Sequence, residues 1–508
     1  MFPGNFVATT PDKVAVVRPA TGESITYAEL DRDSTKVARY LRDLGLGRGD
    51  SVAMVSTNDI RMLVIYWAAV RSGMYVTAIN NHLTPDETNY ILGDCGAVAL
   101  FASAEVADAV SAVDQVPTVT HRIAWAGDLA GFESYDEILA AASDAPLDDQ
   151  PRGQDMLYSS GTTGRPKGIK VPLQDGQVNE ISDPYTAVFS LIYGFDQECV
   201  YLCPAPLYHA APLRYCGMVN SVGGTVVMMD RFDAETALEL IDEYKVTHSQ
   251  WVPTMFIRML KLPEEVRTKY DVSSLKIAIH AAAPCPPEVK QAMIAWWGPV
   301  IHEYYASTEG SGATFINSEQ ALAHPGSVGQ PLLGVIRICA DDGTELPVGE
   351  IGTVYFERDE LPFEYYNDPQ KTKEAQHPVH PAWTTSGDVG YVDAEGFLYL
   401  TDRKSFMIIS GGVNIYPQEA ENILIGHPAV FDIGIIGIPD PDLGEVAKAC
   451  VQLEPGIEAT DELATELTDF ARSRLAHYKV PKSIDFVDSL PRTPTGKLVK
   501  RELQARYT

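Results

Sequence analysis

Apolar positions near the start of the chain follow first one period and then another. Thr26 and Glu29 form a capping box ahead of Leu30, Val37, Leu41 and Leu44, which share one helical face, and Gly45, Gly47 and Gly49 stop it. Residues 51–56 alternate as a short strand, and 59–71 return to a helical pattern. The same exchange continues through 75–79, 85–94 and 98–102, which predicts a layered α/β fold. No repeat or low-complexity segment interrupts it. Residues 141–153, rich in Asp, Ala and Pro, read as an exposed connection.

Composition adds limits rather than a fold. A chain of 508 residues with 45% hydrophobic content can bury more than one core, so at least two domains are expected. Its 69 acidic against 39 basic residues leave a net charge of −30, which argues against nucleic acid or an anionic membrane as partner. The longest apolar run, 62–70, lies between Arg61 and Arg71 and falls far short of the ~20 residues of a membrane span. No cationic start with an apolar run precedes Thr9, and the last residues carry no peroxisomal tripeptide, so a cytoplasmic protein is expected. Seven cysteines without a Cys-x-x-Cys fit buried thiols in a reducing compartment.

The stretch Tyr158-Ser159-Ser160-Gly161-Thr162-Thr163-Gly164-Arg165-Pro166-Lys167-Gly168 combines three glycines, four Ser/Thr hydroxyls and two cations. Glycines let the backbone approach an anion, hydroxyls donate to phosphate oxygens, and Lys167 adds a point charge. It is not a Walker A loop, because Pro166 stands where that pattern needs glycine before Lys167. A helix N-terminus as the anion cradle is therefore not implied. A plain surface loop is the alternative reading. Further on, a strand over 200–203 feeds Pro206-Leu207-Tyr208-His209, and a lone histidine there is ordinarily a packed or surface residue. Residues 277–280 read as a strand running into the small residues Ala281, Ala282, Ala283 and Pro284.

Ser160-Gly161-Thr162-Thr163-Gly164-Arg165-Pro166-Lys167-Gly168 resembles the signature of the adenylate-forming superfamily, which holds acyl-CoA synthetases, luciferases and peptide-synthetase adenylation domains. Further stretches resemble its other motifs in family order: Tyr305-Ala306-Ser307-Thr308-Glu309, Trp383-Thr384-Thr385-Ser386-Gly387-Asp388, Asp402-Arg403-Lys404-Ser405 and Pro494-Thr495-Gly496-Lys497. The matches span residues 150 to 500, and the part before them agrees in general character. The resemblance implies a large multi-layer N-terminal domain over 1–402 and a small mobile α+β domain over 403–508.

It also implies roles. Ser159, Ser160, Gly161, Thr162, Thr163, Gly164 and Lys167 would hold the ATP phosphates, and Ala281, Ala282, Ala283 and Pro284 would lie along adenine and acyl group. Tyr304 and Tyr305 would stand at the adenine, with Tyr305 stacked on it. Thr308 would touch the α-phosphate or carboxylate, and Glu309 would hold Mg²⁺, a hard cation that takes carboxylate and phosphate oxygens. Asp388 and Arg403 would grip the ribose hydroxyls, since a carboxylate accepts two hydrogen bonds. Gly411 and Gly412 would let the pantetheine arm of CoA pass. Lys497 would bridge carboxylate and α-phosphate in the in-line displacement. His209 becomes an acyl-pocket residue.

Two departures stand out: Ala306 replaces the usual glycine beside the acyl tunnel, and Ser405 replaces the Asp or Lys usual at the hinge. No acidic residue lies between Pro204 and Val219 to pair an amino acid's ammonium. An ATP-dependent acyl-CoA synthetase acting on a long or bulky apolar carboxylic acid is thus the favoured expectation. A luciferase-type oxidoreductase and a non-catalytic nucleotide-binding protein are the alternatives. ATP, Mg²⁺, CoA and a small acid are the implied ligands, with a homo-oligomer left open.

Overall fold

The computed structural model describes residues 1–159, 166–181, 184–403, 406–411, 413–492 and 498–507; the side chains of Ser159, Pro184, Tyr185 and Arg403 lie outside that description. The described chain forms two compact units. The first comprises Met1–Trp251, Lys261–Ile279 and Phe363–Thr372; the second comprises Val252–Leu260, His280–Pro362 and Lys373–Thr508.

The capping box is built as the sequence predicts. Thr26 accepts from the Glu29 amide, the Glu29 carboxylate accepts from the Thr26 amide, and the helix Tyr27–Asp43 buries Leu30, Val37 and Leu41. The strand Ser51–Val55 differs from its alternating pattern, because all five residues are buried. It sits inside a parallel sheet, between Tyr75–Ile79 and Ala97–Ser103, and a parallel sheet is covered on both faces. That sheet continues through Gln154–Asp155, which pairs with Tyr75 and Val76 and leads into the strand Leu157–Ser159. A second group in this unit sets Val14–Arg18, Thr225–Met228, Val200–Cys203 and His248–Trp251 parallel, with Glu23–Thr26 antiparallel at its edge.

The second unit is antiparallel where it carries candidate residues. Its strands run in the order Ile301–Ala306, Ala313–Ile316, Ser327–Leu333, Leu398–Arg403, Asp388–Val392, Gly352–Glu357 and Val335–Cys339. A further sheet pairs Val430–Asp440 with Gly444–Leu453, and helices Pro417–Leu424 and Asp461–Arg472 accompany a core that includes Ile435, Ala449, Leu424 and Leu467. All seven cysteines are free and buried, as expected of small apolar residues. Among the described residues no helix is long and apolar enough to cross a membrane.

Candidate active site

In the first unit the two flanks of the phosphate-loop stretch pair with each other. Leu157–Ser159 and Lys167–Ile169 run antiparallel, and Ser159 and Lys167 are cross-strand partners. The described segments on either side of 160–165 thus both contain a strand. Ser160, Gly161, Thr162, Thr163 and Gly164 lie outside the described residues. The hairpin base is tied down on both sides. The Tyr158 hydroxyl donates to Asp94 Oδ2 at 2.6 Å, and the Tyr366 amide donates to the Gly168 carbonyl at 2.9 Å. A Cβ at Gly168 would come within 2.8 Å of Met156 Cε and 2.9 Å of Tyr158 Cζ, so a side chain there would force Met156 or Tyr158 to shift. The Lys167 ammonium lies 5.3 Å from the centroid of the Tyr365 ring, a cation–π distance.

His209, in the same unit, has extended backbone and immediately precedes the helix Ala210–Ser221. Its ring centroid is 4.5 Å from that of Tyr208. The residue is half-buried overall, but Nε2 is fully buried and finds no hydrogen-bond partner among the described residues, as is also true of the Tyr208 hydroxyl. Burial pulls the imidazole pKa down to about 4, so the ring is neutral near pH 7. A neutral imidazole and a phenol make a polar edge without charge.

The second unit brings together residues that are far apart in sequence. Tyr305, on the strand Ile301–Ala306, donates to Asp388 Oδ2 at 2.6 Å, and the Ser386 hydroxyl donates to the same oxygen at 2.7 Å. Asp388 is 7% exposed, which makes these donors necessary for a buried carboxylate. Arg403 is its cross-strand partner in the antiparallel register. Tyr304 and Ala306 sit on the same strand as Tyr305, opposite Phe315 and Ala313. Thr308 and Glu309 follow in a turn rather than a helix; both are half-buried, Gly310 takes φ +70, and its amide donates to the Ser307 carbonyl.

The small-residue strip is also irregular. Ala281 is buried, Ala283 is half-buried, and Ala282 and Pro284 are exposed. Ala282 takes φ +75, a left-handed backbone that costs a side-chain-bearing residue roughly 1–3 kcal/mol and tends to occur at functional sites. Gly411 likewise takes φ +57, and its amide donates to the Leu443 carbonyl at 2.8 Å beside the paired strands Ile408–Ser410 and Val413–Ile415. Gly412 and Lys497 lie outside the described residues. Arg492, whose Nε and Nη2 each reach an Asp432 oxygen at 2.5 Å, forms a β-bridge with Leu498 and so brackets the segment 493–497.

Sequence reasoning missed the buried charges that support these elements. Lys290, on the helix after the small-residue strip, pairs with Glu303, two residues before Tyr305, and also donates to the Ser327 carbonyl at 3.3 Å. All three lie in the second unit, and His280 stands 3.8 Å from the same carboxylate. A Lys and a Glu thirteen residues apart on different elements carry no pattern that would have found them.

A family model described as AMP-binding enzyme matches residues 5–366, and one described as AMP-binding enzyme C-terminal domain matches residues 419–497. The chain belongs to the AMP-binding enzyme family. Within the family it stands on the acyl-CoA ligase branch, as an AMP-forming acid–CoA ligase. The long-chain-fatty-acid–CoA ligase FadD13 of Mycobacterium tuberculosis is 33% identical, over 98% of this chain and 96% of its own length. The feruloyl-CoA synthase of an Amycolatopsis species is 33% identical, over 96% and 94%. The crystal structure of ATP-bound MatB from Rhodopseudomonas palustris superposes with a TM-score of 0.82 at 28% identity, covering 100% of this chain and 99% of that one. These family members agree with the predicted α/β class.

Proposed function

We propose that the protein activates a long or bulky apolar carboxylic acid. An oxygen of the acid attacks the α-phosphorus of ATP, the bond to pyrophosphate breaks, and an acyl-AMP forms. The CoA thiol then attacks the acyl carbonyl, releasing AMP and leaving the thioester. The observation that carries this reading is the meeting of Tyr305, Ser386 and Asp388 through hydrogen bonds, with Arg403 opposite Asp388 in register. These are the positions that the nucleotide motifs assign to adenine and ribose.

The other roles follow from charge. A carboxylate and ATP repel each other, so Lys167 and Lys497 would offset negative charge while the two are held in line. The hairpin around Ser159 to Lys167 would hold the phosphates, and Thr308 would touch the α-phosphate. Glu309, a carboxylate next to Thr308 in a half-buried turn, suits a hard cation, and Mg²⁺ bound there would lower the charge on the phosphates. The strip Ala281 to Pro284 would line the adenine and acyl group, with Tyr304 beside it. Neutral His209 and the lack of any acidic residue between Pro204 and Val219 support an acid without an ammonium group. A body over 1–402 would carry the ATP and acid sites, and a mobile domain over 403–508 would present first Lys497 and then Gly411 and Gly412 to CoA. The seven buried thiols support a reducing, cytoplasmic setting.

A panel of acids graded in length and width, with amino acids and short dicarboxylic acids included, tests the reading. Acid-dependent ATP–pyrophosphate exchange and CoA-dependent AMP release should both be greatest for long or bulky apolar acids. Greatest turnover with an amino acid or a short dicarboxylic acid would overturn the substrate class.

A further inference from the structure

An ion pair with a buried carboxylate ties the helix that follows His209 to the strand that enters the phosphate hairpin. Arg214 Nε lies 2.6 Å from Asp155 Oδ2, and Nη2 lies 3.4 Å from Oδ1. The Asp155 side chain is 2% exposed and that of Arg214 is 26% exposed. Gln154 Nε2 also donates to Asp155 Oδ1 at 3.0 Å. Taking a carboxylate out of water costs several kcal/mol, and an apolar pair of similar volume would hold a helix against a strand at least as well. The pair therefore calls for a reason other than stability.

Its two ends supply one. Arg214 lies on the helix Ala210–Ser221, whose first turn is set by the Leu213 amide donating to the His209 carbonyl at 3.2 Å, so helix position and His209 position are linked. Gly217 on the same helix has the Tyr66 ring so close that a Cβ would meet Cε1 at 3.0 Å, which limits how far the helix can shift. Asp155 pairs with Val76 in the parallel sheet, and two residues later the strand Leu157–Ser159 begins, ending at the cross-strand partner of Lys167. One side chain thus reports the position of the His209 helix, and the other the position of the phosphate hairpin.

We infer that Asp155 and Arg214 are a positioning pair for adenylation, holding the His209 side of the acyl pocket in register with the strand that enters the phosphate hairpin. The inference rests on the roles proposed above for His209 and the hairpin. An in-line displacement is sensitive to displacement of its partners on the scale of 1 Å, where losses reach about a hundredfold in rate. A directional ion pair sets such a distance; an apolar contact can slide.

Two variants test it. In Arg214→Met with Asp155→Leu the buried carboxylate and its half-buried partner are removed together, so melting temperature should stay near that of the wild type or rise. Arg214→Lys keeps the charge and loses the fork. For both, acid-dependent ATP–pyrophosphate exchange should slow by about tenfold or more, least for Arg214→Lys, while thioester formation from preformed acyl-AMP and the KM for ATP change less than twofold. Ranking of acids by kcat/KM should also shift. A purely structural pair predicts otherwise: whichever of the two variants folds with wild-type stability would exchange at the wild-type rate, and that result overturns the inference. Absence of acid-dependent exchange in the wild type itself would instead sink the underlying assignment of function.

Discussion

The Tyr305 hydroxyl donates to Asp388 Oδ2 across 83 residues of sequence, at 2.6 Å. The resemblance implies a nucleotide role for both, adenine for Tyr305 and ribose for Asp388, and the two side chains touch each other directly. Tyr305→Phe keeps the ring but removes this donor. A hydrogen bond to a charged group is worth about 1.5–3 kcal/mol, so loss of part of it should raise the KM for ATP by roughly tenfold. The KM for the acid should hold. Steady-state kinetics in both substrates checks this, and an unchanged KM for ATP would mean that Asp388 needs no support from the phenol.

His209 should not titrate near neutrality. Its folded pKa is about 4 against an ordinary 6.5, the result of burial, so between those values the unfolded chain binds more protons than the folded one. The stability associated with the neutral ring is therefore fully present above pH 6.5 and is lost as pH falls toward 4. Ring signals assigned by comparison with His209→Gln should stay constant down to pH 5. A midpoint near 6.5 would show that the ring is solvated.

Ala306 faces Ala313 across the antiparallel pair and is half-buried, at the position where the motif it resembles has glycine. If its methyl lines the acyl tunnel, Ala306→Gly should broaden or lengthen the accepted acids, since one methylene is worth about 1–3 kcal/mol of discrimination. Kinetics on acids of graded length decide it. An unchanged acid profile with weaker ATP binding would place residue 306 at the adenine.

Glu309 is the carboxylate of a half-buried turn. If Glu309 holds Mg²⁺ as proposed, Glu309→Gln removes an anionic ligand from a hard cation, so the Mg²⁺ concentration giving half-maximal adenylation should rise. A Mg²⁺ titration of ATP–pyrophosphate exchange that coincides with the wild type would mean that the metal is held elsewhere.

Lys497→Ala should abolish most adenylation while sparing thioester formation from preformed acyl-AMP. Removing a group that stabilises transition-state charge costs about 10²–10³ in rate. Measuring the half-reactions separately distinguishes this from a general defect: equal losses in both would count against a lysine that withdraws after the first step.

Local chemistry was legible in the chain because it depends on neighbours a few residues apart. The capping box at Thr26 and Glu29, the strand and helix exchange after it, and Pro166 as the residue that rules out a helix-capped phosphate loop all act within one turn of backbone. The nucleotide-binding candidates were legible for the same reason, as short motifs. What neighbours cannot encode is which faces are covered and which distant side chains meet. Ser51–Val55 alternates in sequence yet is buried throughout, because a parallel sheet is covered on both faces. Asp155 meets Arg214 across 59 residues, and Lys290 meets Glu303 from a helix to a strand, in contacts set by how helices lie on sheets. Those pairings exist only once strand register and helix packing bring the residues within a few ångströms, which is why the supporting charges appear in the tertiary structure alone.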